Sequence, residues 1–508
     1  MAGWTEGYVG GIDYIRAFYR ELSPALLCFG LLLRGYRPPA APDGPFAYAE
    51  LGCGHGLTSA VLAGALPAAR FEAVDFNPAH IAGARRLAAE AGLGNAVFLE
   101  ESFADHARRD GPDLDMVALH GVWSWVSAGN RAILVEVLRR RLKPGGLLFV
   151  SYNALPGTLA YLPLRRILVE HTADRAGPLP RRIEEAVAFA GRLAALNAGW
   201  FAQADAVPDR VESLKRKTPN YIAHEYLNSD WTAFYHADVA RALAGAKLDF
   251  AGPAVPMEQI DELSLSPEAL AMLGEAHDPA YRETLRDVLS NRGFRRDLFV
   301  KGAERLTPAE RSARLRATRF ALLVPPDALP EVAITPAGRI PLPPDLHGPL
   351  AEALAAEPRS LGALLALPAL ARHGEEAVLR ALMMLTSLAL AAPALAEDGL
   401  AARRDAAGRF NAAILERCRA GEESGHLASP VLGSGVAVSR IEALFLLARR
   451  LGAEPAAFAW EQLAAEGLAL RRDGAPLATE AENLAELRGR WDGFARRRLP
   501  LLRTLGVA

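Results

Sequence analysis

Three glycines spaced by single residues, in Glu50-Leu51-Gly52-Cys53-Gly54-His55-Gly56, constrain the fold of this chain more than any other feature. They join FAYAELG (46–52), which reads as a strand, to LTSAVLAGAL (57–66), which reads as a helix. Without Cβ atoms, such a backbone turns tightly and comes close to a ligand. The spacing is GxGxG; a dinucleotide site asks for GxGxxG, which counts against an NAD-type oxidoreductase. No Lys-Ser/Thr pair follows, so a phosphate-binding P-loop is excluded. A purely structural turn stays open as an alternative at this point.

The pattern around the turn is an alternation. RFEAVDFN (70–77), AVFLEES (96–102), DLDMVALHG (113–121) and LLFVSYN (147–153) continue the strands. HIAGARRLAAEAG (80–92) and RAILVEVLRRRLKPGG (131–146) are predicted helices. Strands separated by helices call for a parallel sheet covered on both faces, hence an α/β fold. KLDFAGPA (247–254) and RRDLFVKG (295–302), with helices over 237–246 and 280–293, are expected to be the last two strands of that sheet. The predicted organisation is a helical lead-in or lid (1–37), a Rossmann-like cofactor-binding core (38–156) and a helical insertion over the strand ends (157–230). The rest of the same fold follows (231–305), then a separate, mostly helical C-terminal domain (306–508), bundle-like or winged-helix-like. Ligands of open α/β sheets bind at the strand ends that the insertion covers.

Composition narrows the function. A formal net charge of −2 over 508 residues gives no broad footing for a nucleic-acid backbone. Cys28, Cys53 and Cys418 form no CxxC pair, so neither a disulfide framework nor a zinc site is expected. The first residues lack the basic-then-apolar pattern of a secretory signal. The longest apolar stretch (379–396) contains Arg380 and Pro393 and is expected to be a buried helix, so a cytoplasmic protein without a membrane span is predicted. Basic clusters at 139–143, at 215–217 and at Arg292, Arg295 and Arg296 read as solvated helix faces.

The strand ends carry the chemistry. Val74-Asp75-Phe76-Asn77 puts a carboxylate where it can accept hydrogen bonds from both ribose hydroxyls of a nucleoside, with Phe76 for the adenine face. Glu101-Ser102-Phe103 ends the third strand, a place for the adenine edge. His120-Gly121 ends the fourth, ahead of Val122-Trp123-Ser124-Trp125. Asp75 as a helix cap and Ser102 as a plain strand end are the structural alternatives.

The succession E-L-G-C-G-H-G, V-D-F-N and L-K-P-G-G resembles the class I, Rossmann-like methyltransferases. That resemblance implies a seven-stranded sheet with an antiparallel last strand and S-adenosylmethionine as cofactor. It places Gly52, Gly54 and Gly56 near the methionine end and Asp75 on the ribose. Glu50, Cys53, Phe76, Asn77, Ser102, Phe103, His120 and Gly121 complete the expected cofactor set. FYRELSP (18–24), YNALPG (152–157), HEYLNSDWTAFYHADV (224–239) and NRGFRRDLFVKG (291–302) are similar to bacterial methyltransferases with a methyltransferase regulatory domain. Some of those methylate lysines of outer-membrane proteins and work as dimers, so a homodimer is implied here. The lead-in, GGIDYIRAF, departs from the aromatic-rich pattern of that group.

Methyl transfer from a sulfonium is an in-line displacement that needs alignment and dryness more than a metal. His120, Trp123, Trp125, Tyr152 and Asn153 are expected near the methyl group, with Tyr8 and Tyr14 closing over them. His120 is a candidate general base. A protein lysine amine is the expected acceptor; a small molecule, or a non-catalytic S-adenosylmethionine-binding role, are the alternatives. A wide cleft would favour a protein acceptor, and a closed pocket under 157–230 a metabolite.

Overall fold

The computed structural model describes residues 7–10, 12–197, 199–204, 206–335, 338–423, 425–472 and 474–508. Residues 1–6 of the predicted lead-in lie outside that set.

Seven strands form one sheet: β1 (Ala47–Leu51), β2 (Arg70–Asp75), β3 (Ala96–Glu100), β4 (Leu114–Leu119), β5 (Leu142–Asn153), β6 (Leu248–Pro253) and β7 (Phe294–Lys301). Their order is β3-β2-β1-β4-β5-β7-β6. The first five run parallel, and β7 lies antiparallel between β5 and β6. This is the Rossmann-like methyltransferase sheet that the motifs implied. Strand order reverses between β1 and β4, so a crevice opens there at the C-terminal strand ends.

The helices α1 (Pro24–Leu33), α2 (Leu57–Ala65), α3 (Pro78–Glu90), α4 (Phe103–Arg108) and α5 (Ala128–Arg141) cover the two faces. The predicted helix over 131–146 stops at Arg141, because Pro144 and Gly145 cannot continue it. Lys143–Gly146 belongs to β5 instead, as an irregularity in which pairing jumps from Leu114 with Leu142 to Met116 with Leu147.

The insertion comprises α6 (Leu162–Ala173), α7 (Leu179–Ala195), α8 (Ala206–Leu214) and α9 (Pro219–Tyr226). It has its own core around Leu168, Ile183, Phe201, Val211 and Ile222. The chain then returns through α10 (His236–Ala244), β6, α11 (Pro267–Gly274), α12 (Pro279–Ser290) and β7.

Residues 306–508 are mainly helical, with short strand pairs among the helices. Their core is continuous with the one under α1, α2 and α3. Phe410 packs so close to Gly64 of α2 that a Cβ there would stand 2.7 Å from its ring. The apolar stretch 379–396 is divided between a helix (Gly374–Ser387) and a strand (Ala391–Ala394). Among the described residues no helix is long and apolar enough to cross a membrane.

The far edge of the sheet is held by a buried charge. Arg295 on β7 is 1% exposed and donates to Asp297 (2.8 Å), Asp287 of α12 (2.7 Å) and Glu283 of α12 (2.9 Å). Tyr152 of β5 donates its hydroxyl to the same Asp297 oxygen at 2.7 Å, with His236 Nδ1 3.3 Å from it. Burial raises the Asp297 carboxyl, but Arg295 and His236 outweigh it and hold it well below the usual range. Removing a single partner from such a cluster leaves buried carboxylates uncompensated, which costs about 3–5 kcal/mol. Arg295→Met is therefore expected to destabilise the protein by about that amount in denaturant unfolding. A loss below about 1 kcal/mol would show that the cluster does not hold this edge.

Candidate active site

The glycine turn is tied to its neighbour strand before any ligand arrives. The backbone N–H groups of Gly52 and Cys53 both donate to the Val74 carbonyl (2.8 and 3.0 Å), and Gly54 N–H donates to Asp75 Oδ2 (2.9 Å). Asp75 Oδ1 accepts from Asn77 N–H at 2.9 Å. Asn77 in turn caps α3, accepting from Ala79 and His80, so the cap falls on Asn77 and leaves Asp75 at the crevice. Gly52 has φ +83°, and a Cβ there would lie 2.5 Å from Val122 Cγ2. That close approach is why the turn is glycine.

A narrow cavity of about 100 Å³ opens above the turn. Of the predicted cofactor residues, Gly52, Gly54, Asp75, Phe76, Ser102, Phe103, His120 and Gly121 line it. Four others do not. Glu50 is buried below the turn, where Ser59 of α2 donates to it. Cys53 packs against the core, Gly56 sits against Phe98, and Asn77 is the helix cap. His80, Val126, Ser127 and Asn130 are lining residues that motif reasoning did not single out, whereas Glu101 comes with the strand-end run Glu101-Ser102-Phe103. The four arrive from α3, the loop before α5 and the first turn of α5, where nothing in the local pattern marks them.

A second cavity, about 510 Å³, adjoins the first and shares Tyr8, Tyr14, His120, Gly121 and Trp125 with it. Its roof comes from the insertion: Tyr161, Arg210 of α8, and Tyr221, His224, Glu225 and Tyr226 of α9. Ile15 and Phe294, both more than a third exposed, mark its mouth. The lead-in closes the junction. Tyr8 stacks on His224 (5.4 Å) and meets Phe76 edge-on (5.8 Å), and His55 Nε2 lies 3.0 Å from the Tyr14 carbonyl oxygen. Burial raises the Tyr8 and Tyr14 hydroxyls above their ordinary range, so both stay neutral.

The expected catalytic group is only partly brought together. His120, Trp125 and Asn153 line the second cavity; Trp123 and Tyr152 line neither. Strand alternation explains Tyr152, which points to the opposite face of β5 from Asn153 and serves the Arg295 cluster. Trp123 is 1% exposed, in the core beneath the sheet. The ring of His120 stacks on Tyr19 at 3.9 Å, with its Nε2 3.4 Å from Glu21. Burial raises the Glu21 carboxyl, but the His120 contact, its own backbone and Arg296 bring it down to about 2. Asn153 leaves its buried Nδ2 without a hydrogen-bond partner. Among the described residues no cluster of His, Cys, Asp or Glu could hold a metal ion.

Two family profiles match the chain: "Methyltransferase domain" over residues 49–148 and "Predicted methyltransferase regulatory domain" over residues 218–301. An uncharacterised protein of Synechocystis sp. is 37% identical over 505 residues, 99% of this chain and all of that protein. PKMT2 of Rickettsia typhi, solved in complex with AdoHcy, superposes with a TM-score of 0.71 at 17% identity, over 97% of this chain and 99% of that one. The chain belongs to the class I methyltransferases with a regulatory domain. It is an enzyme, and its cofactor is S-adenosylmethionine.

The residues present fit that cofactor. A Cβ at Gly52 would fill the cradle at the turn, Phe76, Phe103 and Val126 offer apolar surface for a purine, and Asp75 is placed for a ribose. The Tyr8, Tyr14 and Trp125 rings and the Asp75 and Glu101 carboxylates line the same cavity and would favour a bound sulfonium cation. At about 100 Å³ the cavity is below the roughly 300–1,000 Å³ of ordinary ligand sites. Tyr8 and Tyr14 line the cavity where it meets its larger neighbour.

Gly52→Ala is expected to weaken S-adenosylhomocysteine binding at least about tenfold in calorimetry, through the clash with Val122 and the positive φ. Unchanged affinity would contradict the cradle. Burial pushes the Glu50 carboxyl up to about 7 against the pull of Ser59, with Asp75 adding to the rise. The folded state therefore holds this proton more tightly than the unfolded chain. Glu50 contributes stability that is full below about pH 4.5 and lost as pH climbs to about 7. At roughly 1.4 kcal/mol per pH unit this is on the order of 3 kcal/mol at most. Glu50→Gln is expected to flatten the fall in Tm between those pH values. An unaltered slope would mean that Glu50 is ionised throughout.

Proposed function

We propose that the enzyme transfers the methyl group to a protein lysine amine. The observation that carries this is the second cavity: a chamber ringed by aromatic side chains, meeting the cofactor cavity at Tyr8, Tyr14 and Trp125 and open at Ile15 and Phe294. A lysine side chain can reach the methyl group through such a mouth while its backbone stays outside. PKMT2, a protein lysine methyltransferase, shares the fold over nearly the whole chain, which supports the same reading.

S-adenosylmethionine supplies an electrophilic methyl group on a sulfonium. The chain's own residues position and dry the reaction. Asp75 would hold the ribose, Phe76 and Phe103 would flank the base, and Tyr8 and Tyr14 would exclude water over the junction. The unpaired side-chain amide of Asn153 orients the incoming amine, since either end of the amide can take that place by a flip. His120, stacked on Tyr19 and held by Glu21, walls the junction. The three cysteines stand unpaired, in keeping with action in a reducing cytoplasm. The proposal includes a homodimer.

A small-molecule acceptor is the second reading, favoured by the roof that α8 and α9 put over the chamber. Methyl-labelled cofactor incubated with the enzyme and a cell extract separates the two. The expected outcome is label in protein, recovered as methyl-lysine after acid hydrolysis. Label confined to the low-molecular-weight fraction would sink the lysine reading.

A further inference from the structure

One polar group in the acceptor chamber has no task in the scheme above. Glu225 lies on α9, and its backbone carbonyl accepts the indole N–H groups of Trp125 (3.4 Å) and Trp231 (3.0 Å), which fixes the residue in place. Its carboxylate lines the chamber and has no hydrogen-bond or ion-pair partner among the described residues. Arg210, the one arginine or lysine among the described residues of that wall, forms no ion pair with Glu225, although its charge acts on that carboxylate. Its Nε donates to the Tyr226 hydroxyl at 2.8 Å, and its guanidinium carbon lies 5.5 Å from the Tyr161 ring and 5.8 Å from the Tyr226 ring.

We propose that Glu225 is the acceptor-side carboxylate of this enzyme: it draws a primary or partly methylated ammonium group into the chamber and takes a proton from it before transfer. The substrate class that follows is cationic amines. The inference rests on the amine reading above and adds to it the residue that selects charge.

The surroundings suit that role. Aromatic faces from Tyr8, Tyr14, Trp125, Tyr221 and Trp231 line the same chamber and stabilise a cation as they exclude water. The groups facing Glu225 are Arg210 of α8, Tyr221, His224 and Tyr226 of α9, and Tyr8 and Tyr14 of the lead-in. Burial pushes the Glu225 carboxyl up to about 7, with Arg210 opposing. This narrows the gap to an ammonium of roughly 10.4. The step balances. The carboxylate takes one proton from the ammonium, and the freed amine lone pair forms the N–C bond. The S–C bond breaks with its electrons left on sulfur. The methylated product carries the positive charge, and the proton on Glu225 leaves to solvent once product departs.

The test uses full-length enzyme loaded with S-adenosylhomocysteine, titrated with acetyl-Gly-Lys-Gly-amide and its norleucine counterpart at pH 7 in two buffers of different ionisation enthalpy. Wild type is expected to prefer the lysine peptide at least about tenfold and to release roughly half a proton on binding it. Glu225→Gln should lose the preference and the proton release while binding S-adenosylhomocysteine as tightly as wild type, and Glu225→Asp should retain the preference. A Gln variant that binds S-adenosylhomocysteine and still prefers lysine with wild-type proton release overturns the role of Glu225 and leaves the lysine reading standing. Wild type that does not distinguish the two peptides overturns both. Should the Gln variant fail to bind S-adenosylhomocysteine, wild-type proton release decides alone, and its absence overturns the inference.

Discussion

Arg295 is the constraint on which the acceptor half of this enzyme depends. A guanidinium buried in the last antiparallel strand must be matched by carboxylates, and the chain supplies them from one helix and one neighbouring strand position: Glu283, Asp287 and Asp297. Burial, with Asp297 adding, raises Asp287 to about 6, while the arginines and His236 pull against that rise. The cluster thus reaches its charge balance only when β7, α12 and α10 are all in place. Hydrophobic burial alone tolerates sliding of a strand; hydrogen bonds at 2.7–2.9 Å from one guanidinium do not. Once β7 is fixed, Phe294 at its start stands at the chamber mouth, and Ala154 N–H donates to Gly293 O, securing the end of β5. Asn153 sits at that end.

The C-terminal half acts on the same site from the other side. Arg20 donates to the carbonyls of Thr386 (2.6 Å) and Ser387 (3.1 Å), Phe18 packs on His426 (5.1 Å), and Arg16 pairs with Glu422 (3.0 Å). These contacts flank Tyr19 and anchor the stretch that follows Tyr14. The lead-in has too few residues to bury a core of its own. Its course across the crevice is set by what it touches in residues 380–430 and by His55 and His224 at the active site.

The cofactor half is legible in the sequence because its signals are local. Glycines at positive φ, a carboxylate at a strand tip and a parallel-sheet alternation each appear within a few residues. The motifs alone therefore suffice to bring Gly52, Gly54, Asp75 and Phe76 to one cavity above the turn. Where the motifs mislead in that half, the fault is one of side-chain direction. Tyr152 sits next to the lining residue Asn153, but the pleat sends it to the far face, and a one-residue offset in a strand decides which face is reached; Glu50 lies two residues before Gly52 and is engaged beneath the turn by Ser59 of α2. The acceptor half is opaque for a different reason. Arg210, Glu225 and Phe294 come from α8, α9 and β7, and only the packing of the insertion onto β5 and β7 brings them together. HEYLNSDW stands out in the sequence, yet the pattern alone does not say that Glu225 faces a chamber and His224 a tyrosine.

The geometry bears on an electrostatic problem that any amine methyltransferase faces. Sulfonium and ammonium are both cations, and at 4 Å in a medium of effective dielectric near 20 they repel by about 4 kcal/mol. That would be enough to empty the site of one of them. Aromatic walls answer part of this, because Tyr8, Tyr14 and Trp125 border both cavities and present polarisable faces to either charge. Carboxylates answer more, but only if they lie on opposite sides of the junction. Asp75 and Glu101 line the cofactor side and Glu225 the acceptor side, and the fields of Asp75 and Glu225 both reach Tyr8 and Tyr14 between them. Arginine is kept out of contact with the junction by its engagement with Tyr226. For the proposed cationic acceptor, Glu225 is a half-buried carboxylate on the chamber wall with no ion pair among the described residues, which is where a second positive charge needs its counterpart.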